Sequence, residues 1–79
     1  MPRFYFDIHH GTGLVPDDDG SEFASVDAAI QGAITSAGEI GRNLLAKGQT
    51  SGIVVRVRDQ HDQRVCTITA SMTVERHTA

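Results

Sequence analysis

The 79-residue chain contains only one cysteine, two prolines and no tryptophan. A lone Cys66 can form no internal disulfide, which is typical of a reducing compartment. No apolar run approaches the roughly 20 residues that cross a bilayer, and the start MPRFYFDI lacks the apolar core of a signal peptide. We therefore predict a cytoplasmic protein without membrane contact.

Signatures of catalysis are also scarce. The sequence contains no GxSxG, P-loop or GxGxxG motif and no HExxH or CxxC spacing. His9 and His10 are adjacent, so a regular strand would point them to opposite faces and they could not ligate one metal. Cys66 alternates with apolar residues, which indicates a buried small side chain rather than a nucleophile. We predict no cofactor and expect a protein that is not an enzyme.

Charge is divided unevenly between the two halves of the chain. Residues 1–40 carry seven acids and one base, whereas residues 41–79 carry six bases and three acids, for a net charge of −3. Nucleic-acid binding depends on neutralising phosphates, so the acidic whole argues against such a partner, although the basic half leaves room for a local patch. A domain this small buries only about 60% of its unfolded surface, so association is one route to extra stability.

Alternating apolar and polar residues predict four strands. In the first, Phe4, Phe6 and Ile8 share one face, and the following HGTG is typical of a hairpin turn. GIVVRVRD and RVCTITASMTVER alternate in the same way on either side of DQHDQ. The predicted strands lie at about 3–9, 13–16, 53–59 and 64–75, with a frayed tail at 76–79.

The last of these strands is too long for the domain. Thirteen alternating residues would span roughly 43 Å, whereas a compact domain of this size has a radius of gyration of about 12 Å. The strand must bend at a bulge, fray at its end or reach a second subunit, and the sequence leaves these three outcomes open.

One long helix is predicted over about residues 26–47. Ser25 stands at the N-cap, Asp27 lies in the first turn, and Gly48 is a natural stop. The residues that follow the helical period, and that we expect to face the core, are Val26, Ile30, Ala33, Ile34, Ala37, Ile40, Leu44 and Leu45. Small residues also recur every fourth position, at Ala29, Ala33, Ala37 and Gly41. These form a smooth ridge for close packing, or else the C-terminal half of the helix is frayed or kinked.

The order β-β-α-β-β predicts an α+β fold, with one long helix packed on one face of a largely antiparallel four-stranded sheet. A right-handed crossover between the second and third strands favours the strand order 2-1-3-4. This order leaves the last strand at an edge of the sheet.

The stretch PDDDGSEF before the helix, residues 16–23 and here called the acidic loop, has two interpretations. Asp17, Asp19 and Glu22 are candidate cation ligands, but a calcium loop ends in a late bidentate acid that this stretch lacks. The Asp-Gly pair at 19–20 indicates instead a tight turn that feeds the helix. The turn is the favoured interpretation.

The sheet face away from the helix is a candidate interaction face. Its predicted members are Arg3, Tyr5, Arg56, Arg58, Thr67, Thr69, Ser71 and Thr73, with Val54 and Val65. Basic and aromatic groups on an open sheet can bind RNA, but Tyr5 is the only aromatic residue there. A solvated face or a dimer surface is the favoured interpretation.

The sequence resembles a family of short bacterial proteins of unknown function. The resemblance lies in MPRFYFDI (MPR-[FY]-[FY]-F), in DDDGSEF (D-x-x-G-x-E-x) before a single helix, and in SVDAAIQGA and VRVRDQ. It implies no activity and no site residues. The family pattern has a glycine in the last hairpin, where this chain has DQHDQR. The first half is also similar to compact antitoxin domains related to a partial ribonuclease H fold, which bind protein partners.

These observations lead to three functional hypotheses. The first is a non-enzymatic domain that forms a homodimer through its last strand or its outer sheet face. The second is an antitoxin-like or regulatory module that binds a protein or nucleic-acid partner. The third is a metal-dependent enzyme that uses the acidic loop.

Overall fold

The computed structural model of the chain describes residues 1–48 and 52–78. Its elements are β1 (Arg3–His10), β2 (Gly13–Val15), β3 (Ser21–Glu22), α1 (Val26–Ala46), β4 (Ile53–Asp59) and β5 (Arg64–Ala70). All strand pairs are antiparallel, in the order β2-β1-β4-β5, and β3 pairs with β1 beside β2. The predicted α+β fold is confirmed, with β3 as a short additional strand.

The core lies between α1 and one face of the sheet. Phe4, Ile53, Val55 and Val57 are buried there against three alanines of the helix. Phe23, just before α1, stacks on Phe6 with ring centroids 5.5 Å apart and meets Phe4 edge-on at 6.1 Å. The alternation of the sequence therefore identified the inner face of β1 and β4.

The helix begins and ends where its capping residues predict. The Ser25 hydroxyl accepts a hydrogen bond from the Ala28 N–H at 3.1 Å, and Asp27 lies in the first turn. Lys47 is the C-cap, and Gly48 takes the left-handed conformation at φ 86° that ends many helices. Among the described residues, no helix has the length and apolar character needed to span a membrane.

The face of α1 that meets the sheet differs from the predicted one. Ile34 and Val26 were expected in the core, but they are 46% and 48% exposed. The buried helix residues are instead Ala29, Ala33, Ala37 and Gly41. A Cβ at Gly41 would lie 3.1 Å from the Ala70 Cβ, so the helix rests too close to the sheet for large side chains. The smooth-ridge interpretation is thus confirmed and the expected position of Ile34 was wrong.

The last strand ends at Ala70, five residues before the predicted end. Ala70 pairs with Ile53, the first residue of β4, and Gly52 turns the chain aside at φ 77°. Residues 71–78 therefore have no β4 residue to pair with, and they are exposed and form neither helix nor strand. Ala79, the end of the predicted frayed tail, lies outside the described residues.

A bulge, one of the three outcomes that the sequence left open, is present at the other end of β5. Val57 pairs with Cys66 and Arg58 with Arg64, which leaves Val65 as the extra residue. Val65 packs against the core and not on the outer face where it was predicted, because the bulge turns it inward. In the adjoining turn, Asp62 takes a positive φ of 63°, a conformation that glycine adopts most readily.

Candidate interaction surface

No helix among the described residues covers the sheet face opposite α1, and this face carries most of the predicted interaction residues. Six of them, Arg3, Tyr5, Arg56, Arg58, Thr67 and Thr69, lie on this outer face by the strand register. The other two, Ser71 and Thr73, lie beyond the end of β5 and do not belong to the sheet.

Arg58 is the most constrained side chain of the outer face. Its Nε donates to Asp7 Oδ2 at 2.8 Å, and its Nη2 donates to the Asp17 carbonyl oxygen at 2.9 Å. The guanidinium lies 4.5 Å from the centre of the Tyr5 ring, in a cation–π contact. Arg58 therefore ties β4 to β1 and to the acidic loop.

In this ion pair the pKa of Asp7 is lowered and the pKa of Arg58 is raised. Burial by itself raises the pKa of Asp7, but hydrogen bonds from Arg58 and the Asp17 N–H, together with the charge of Arg58, bring it below the usual value. The hydrogen bond to Asp7 raises the pKa of Arg58 above its already high value, against a smaller effect of burial. Both groups are thus ionised at neutral pH, and neither is poised to exchange a proton.

The acidic loop is a packed turn organised by Asp17. Its carboxylate accepts from the N–H groups of Phe6 at 3.0 Å, Gly20 at 2.9 Å and Asp19 at 3.3 Å. Its own N–H donates to Asp7 Oδ1 at 2.9 Å. Gly20 has φ 69°, and a Cβ there would lie 2.8 Å from the Tyr5 ring. The loop is therefore held against β1 by its first aspartate.

The three cation-ligand candidates are engaged separately. Arg3 donates to the Asp19 carbonyl oxygen at 2.9 Å and lies 3.5 Å from the Glu22 carboxylate, while Asp17 serves the backbone of β1 and the loop. Within residues 1–48 and 52–78, no three His, Cys, Asp or Glu side chains cluster closely enough to hold a metal ion.

Cys66 faces the core side of β5, opposite Val57, and is partly buried. Burial raises the pKa of its thiol, which lowers the fraction of reactive thiolate at neutral pH. This environment fits a packing residue.

A shallow depression of about 460 Å³ lies on the outer face. Arg56, Arg58 and Arg64 line it together with Asp7 and Asp62. Arg58 is paired with both acids, at 2.8 Å and 3.6 Å. Arg56 and Arg64 are exposed and form no ion pair with any described residue. The free positive charge of the depression therefore belongs to these two side chains.

An apolar groove of about 670 Å³ lies at the other side of the molecule, between the second half of α1 and the end of β5. Its lining includes Gly38, Leu45, Ala46, Ala70 and Met72. Ile34 lies one helical turn before Gly38, on the same side of α1. This groove borders the edge of β5 and was not foreseen from the sequence, because it depends on how α1 crosses the sheet.

One comparison with known proteins identifies a family of unknown function. A model of DUF6894, a domain of unknown function, matches residues 3–71. The chain belongs to this family. The match to the DUF6894 model runs from the first residue of β1 to the residue after β5, so the sheet and its helix are the family domain. No match was found among curated proteins or among solved structures. The predicted membership of a family of unknown function is confirmed.

Proposed function

We propose that this DUF6894 domain is a non-catalytic module that self-associates, with two copies joined through their β5 edges. The observation that carries the proposal is the contrast between the sheet edges. No described strand pairs with β5 on the side away from β4, although β5 is seven residues long and alternates regularly. Such an edge exposes unpaired backbone groups that readily accept another strand.

Strand addition would join the two sheets without hiding either face. A two-fold axis perpendicular to the sheet and close to the end of β5 pairs this strand in antiparallel fashion with the continuation of β5 in the copy, so both α1 helices lie on the same side of one continuous sheet. The side of α1 that carries Ile34 and Gly38 borders β5, so the strand added from the copy would lie beside this side of the helix. Burial of this side would account for an isoleucine that is 46% exposed in one chain.

The state of the charged groups supports a binding role over a catalytic one. Asp7 and Arg58 are bound to each other and to the acidic loop, and Asp17 is occupied by backbone N–H groups. The titratable groups with resolved contacts thus hold the fold together. The single cysteine, which can form no internal disulfide, suits a reducing compartment, and we propose a bacterial cytoplasmic setting for the module.

Sedimentation equilibrium over a wide concentration range tests the proposal. We expect a concentration-dependent mass that rises from the 8.5 kDa of one chain towards twice that value. A mass of 8.5 kDa at every concentration would contradict self-association.

The depression on the outer face supports a second candidate function, the binding of an anionic partner. Arg56 and Arg64 are its exposed, unneutralised cations. Retention of the wild-type domain on a polyanion column at low salt, abolished in R56S/R64S, would support this function. Elution of the wild-type domain without retention would contradict it.

A further inference from the structure

We propose that the segment Ser71–Glu75 of each copy lies along β5 of the other copy, with Ser71 facing its own counterpart across the two-fold axis. In this arrangement Met72 and Val74 enter the groove beside the partner's α1, and Glu75 approaches the partner's Arg56. The inference rests on the proposed self-association and adds its register and its contacts.

The segment has the pattern of a strand that lacks a neighbour. Met72 and Val74 continue the alternation of Ile68 and Ala70, the inner-face residues of β5, yet they are 48% and 68% exposed. The molecule measures 56 Å along its longest axis and 23 Å and 18 Å along the others, and its radius of gyration of 14.4 Å exceeds the roughly 12 Å of a compact domain. Ser71 and Met72 still line the groove of their own chain, and the segment extends out from the body of the domain beyond them.

The register follows from the chemistry of the opposed residues. With Ser71 on the axis, Ala70 lies opposite the partner's Met72, Thr69 opposite the partner's Thr73, and Ile68 opposite the partner's Val74. Apolar pairs and threonine pairs of this kind stabilise adjacent strands.

Neighbouring registers place unfavourable pairs together. Moving the axis back to Ala70 puts Arg64 opposite the partner's Arg76, and like charges directly opposite each other are destabilising. Moving the axis forward to Met72 puts Ile68 opposite the partner's Arg76, which sets a charge against an apolar neighbour. The register centred on Ser71 avoids the arginine pair and places the partner's Arg76 opposite Cys66, which is smaller than Ile68 and only partly buried.

The groove supplies the apolar surface that the segment needs. Residues opposite each other in antiparallel strands share a face, so the partner's Met72 and Val74 would lie on the α1 side of the sheet, beside Ala70 and Ile68. There they would meet the groove lined by Gly38, Leu45 and Ala46. Two exposed apolar surfaces are removed from water in one contact.

Charge complementarity appears on the opposite face. The partner's Glu75 would lie opposite Thr67, and Thr67 is paired with Arg56 on β4. Two strand spacings separate Arg56 from the partner's Glu75, about 10 Å between backbones, which these two long side chains can bridge. Arg56 is exposed and has no ion pair with a described residue, so the partner's Glu75 would provide its missing acid.

Site-specific oxidation tests the register directly. In a Cys66→Ala background that keeps its cooperative melt, we expect Ser71→Cys to form a disulfide-linked dimer on mild oxidation. Cysteine Cα atoms must approach to within about 7 Å, which is met at the axis. The matched control Thr73→Cys places the two cysteines about 13 Å apart, four residues out of register, and should remain unlinked.

The outcomes separate this inference from the proposal on which it rests. If the wild-type chain is dimeric but Ser71→Cys does not cross-link, or Thr73→Cys cross-links equally well, the register is wrong while self-association stands. If the wild-type chain is monomeric, both fail.

A charge exchange tests the contact on the outer face. R56E should weaken dimerisation about threefold to fivefold, the range expected for one exposed ion pair, and R56E/E75R should restore the original dissociation constant. R64E is the matched control, since Arg64 faces the partner's Thr78 and should leave the dissociation constant unchanged. An unchanged constant in R56E, or no recovery in the double variant, would overturn the assigned contact.

Discussion

The two edges of the sheet are protected to different extents. On the β1 side, β2 pairs with Ile8–His10, β3 pairs with Arg3 and Phe4, and the Asp17 carboxylate takes the Phe6 N–H between them. On the other side, β5 has no described strand beyond it, and the chain continues past Ala70 as an exposed segment.

This difference shows how one small domain can combine a closed edge with an open one. Proteins commonly protect exposed edges with short strands, prolines or covering loops, because an unprotected edge recruits other chains. The β1 side uses all three devices, namely the three-residue β2, Pro16 and the acidic loop. Within the described residues, the β5 side has no short strand, proline or covering loop of this kind, in line with the proposed self-association.

The largest expected effect concerns the helix, which packs on β4 and β5. Ala33 is fully buried, so Ala33→Asp places an unpaired charge in the core and should cost about 5 kcal/mol, comparable to the whole stability of a small domain. Ile34→Asp, one residue later and 46% exposed, should keep a cooperative thermal melt. Unfolding of Ile34→Asp with survival of Ala33→Asp would reverse the assigned helix face.

The next largest effect concerns the protected edge on the β1 side of the sheet. Asp17→Ala leaves the N–H groups of Phe6, Asp19 and Gly20 without their acceptor and should lower the free energy of unfolding by about 2–3 kcal/mol. Asp18→Ala is the matched control, because Asp18 is exposed and belongs to the same loop. Urea unfolding measures both, and equal losses would show that Asp17 has no special role.

A smaller effect tests how tightly the loop is packed against β1. Gly20 and Gly11 both have positive φ, but a Cβ at Gly20 would come within 2.9 Å of the Phe4 carbonyl oxygen, whereas a Cβ at Gly11 meets nothing within 4 Å. Gly20→Ala should cost about 2 kcal/mol and Gly11→Ala only about 1 kcal/mol. If denaturant midpoints shift equally, the close approach of the loop does not affect stability.

The smallest effect depends on pH. The pKa of Asp7 is lowered in the folded state, so its stabilising contribution is present above the unfolded value of about 3.9 and is lost as pH falls through the folded value. Asp7→Asn should therefore cost about 1 kcal/mol at pH 7 and progressively less at pH 3. Asp59, whose pKa is lowered mainly by the Gln63 N–H, adds acid sensitivity that both proteins share. If the difference in unfolding free energy between the wild type and Asp7→Asn does not change with pH, the assigned role of the Asp7–Arg58 pair is contradicted.

The strands could be predicted from the sequence because a period of two fixes which residues share a face. The helix could be located from its caps, but its buried face could not be chosen by size. Ile34 is larger and more hydrophobic than Ala33, yet α1 passes so close to β5 at Gly41 that only small side chains fit between them. The decisive quantity was the distance between helix and sheet, which residue type alone does not encode.

The acidic loop illustrates a second limit. Its turn could be predicted from Asp-Gly, but the function of Asp17 depends on the Phe6 N–H, eleven residues away, being exposed between two short strands. The end of β5 likewise depends on where β4 begins, and Gly52 sets that point. The pairing of Asp7 with Arg58 could not be predicted from the sequence, because their proximity follows from strand register and not from spacing along the chain.

Amide hydrogen exchange measured at low and high protein concentration tests the central claim most directly. We expect the Phe6 amide to exchange slowly at both concentrations, since the Asp17 carboxylate protects it within each chain. The β5 amides that point away from β4 should exchange quickly at low concentration and slowly at high concentration. Equally fast exchange of these β5 amides at every concentration would contradict the proposed pairing of the β5 edge with a second copy.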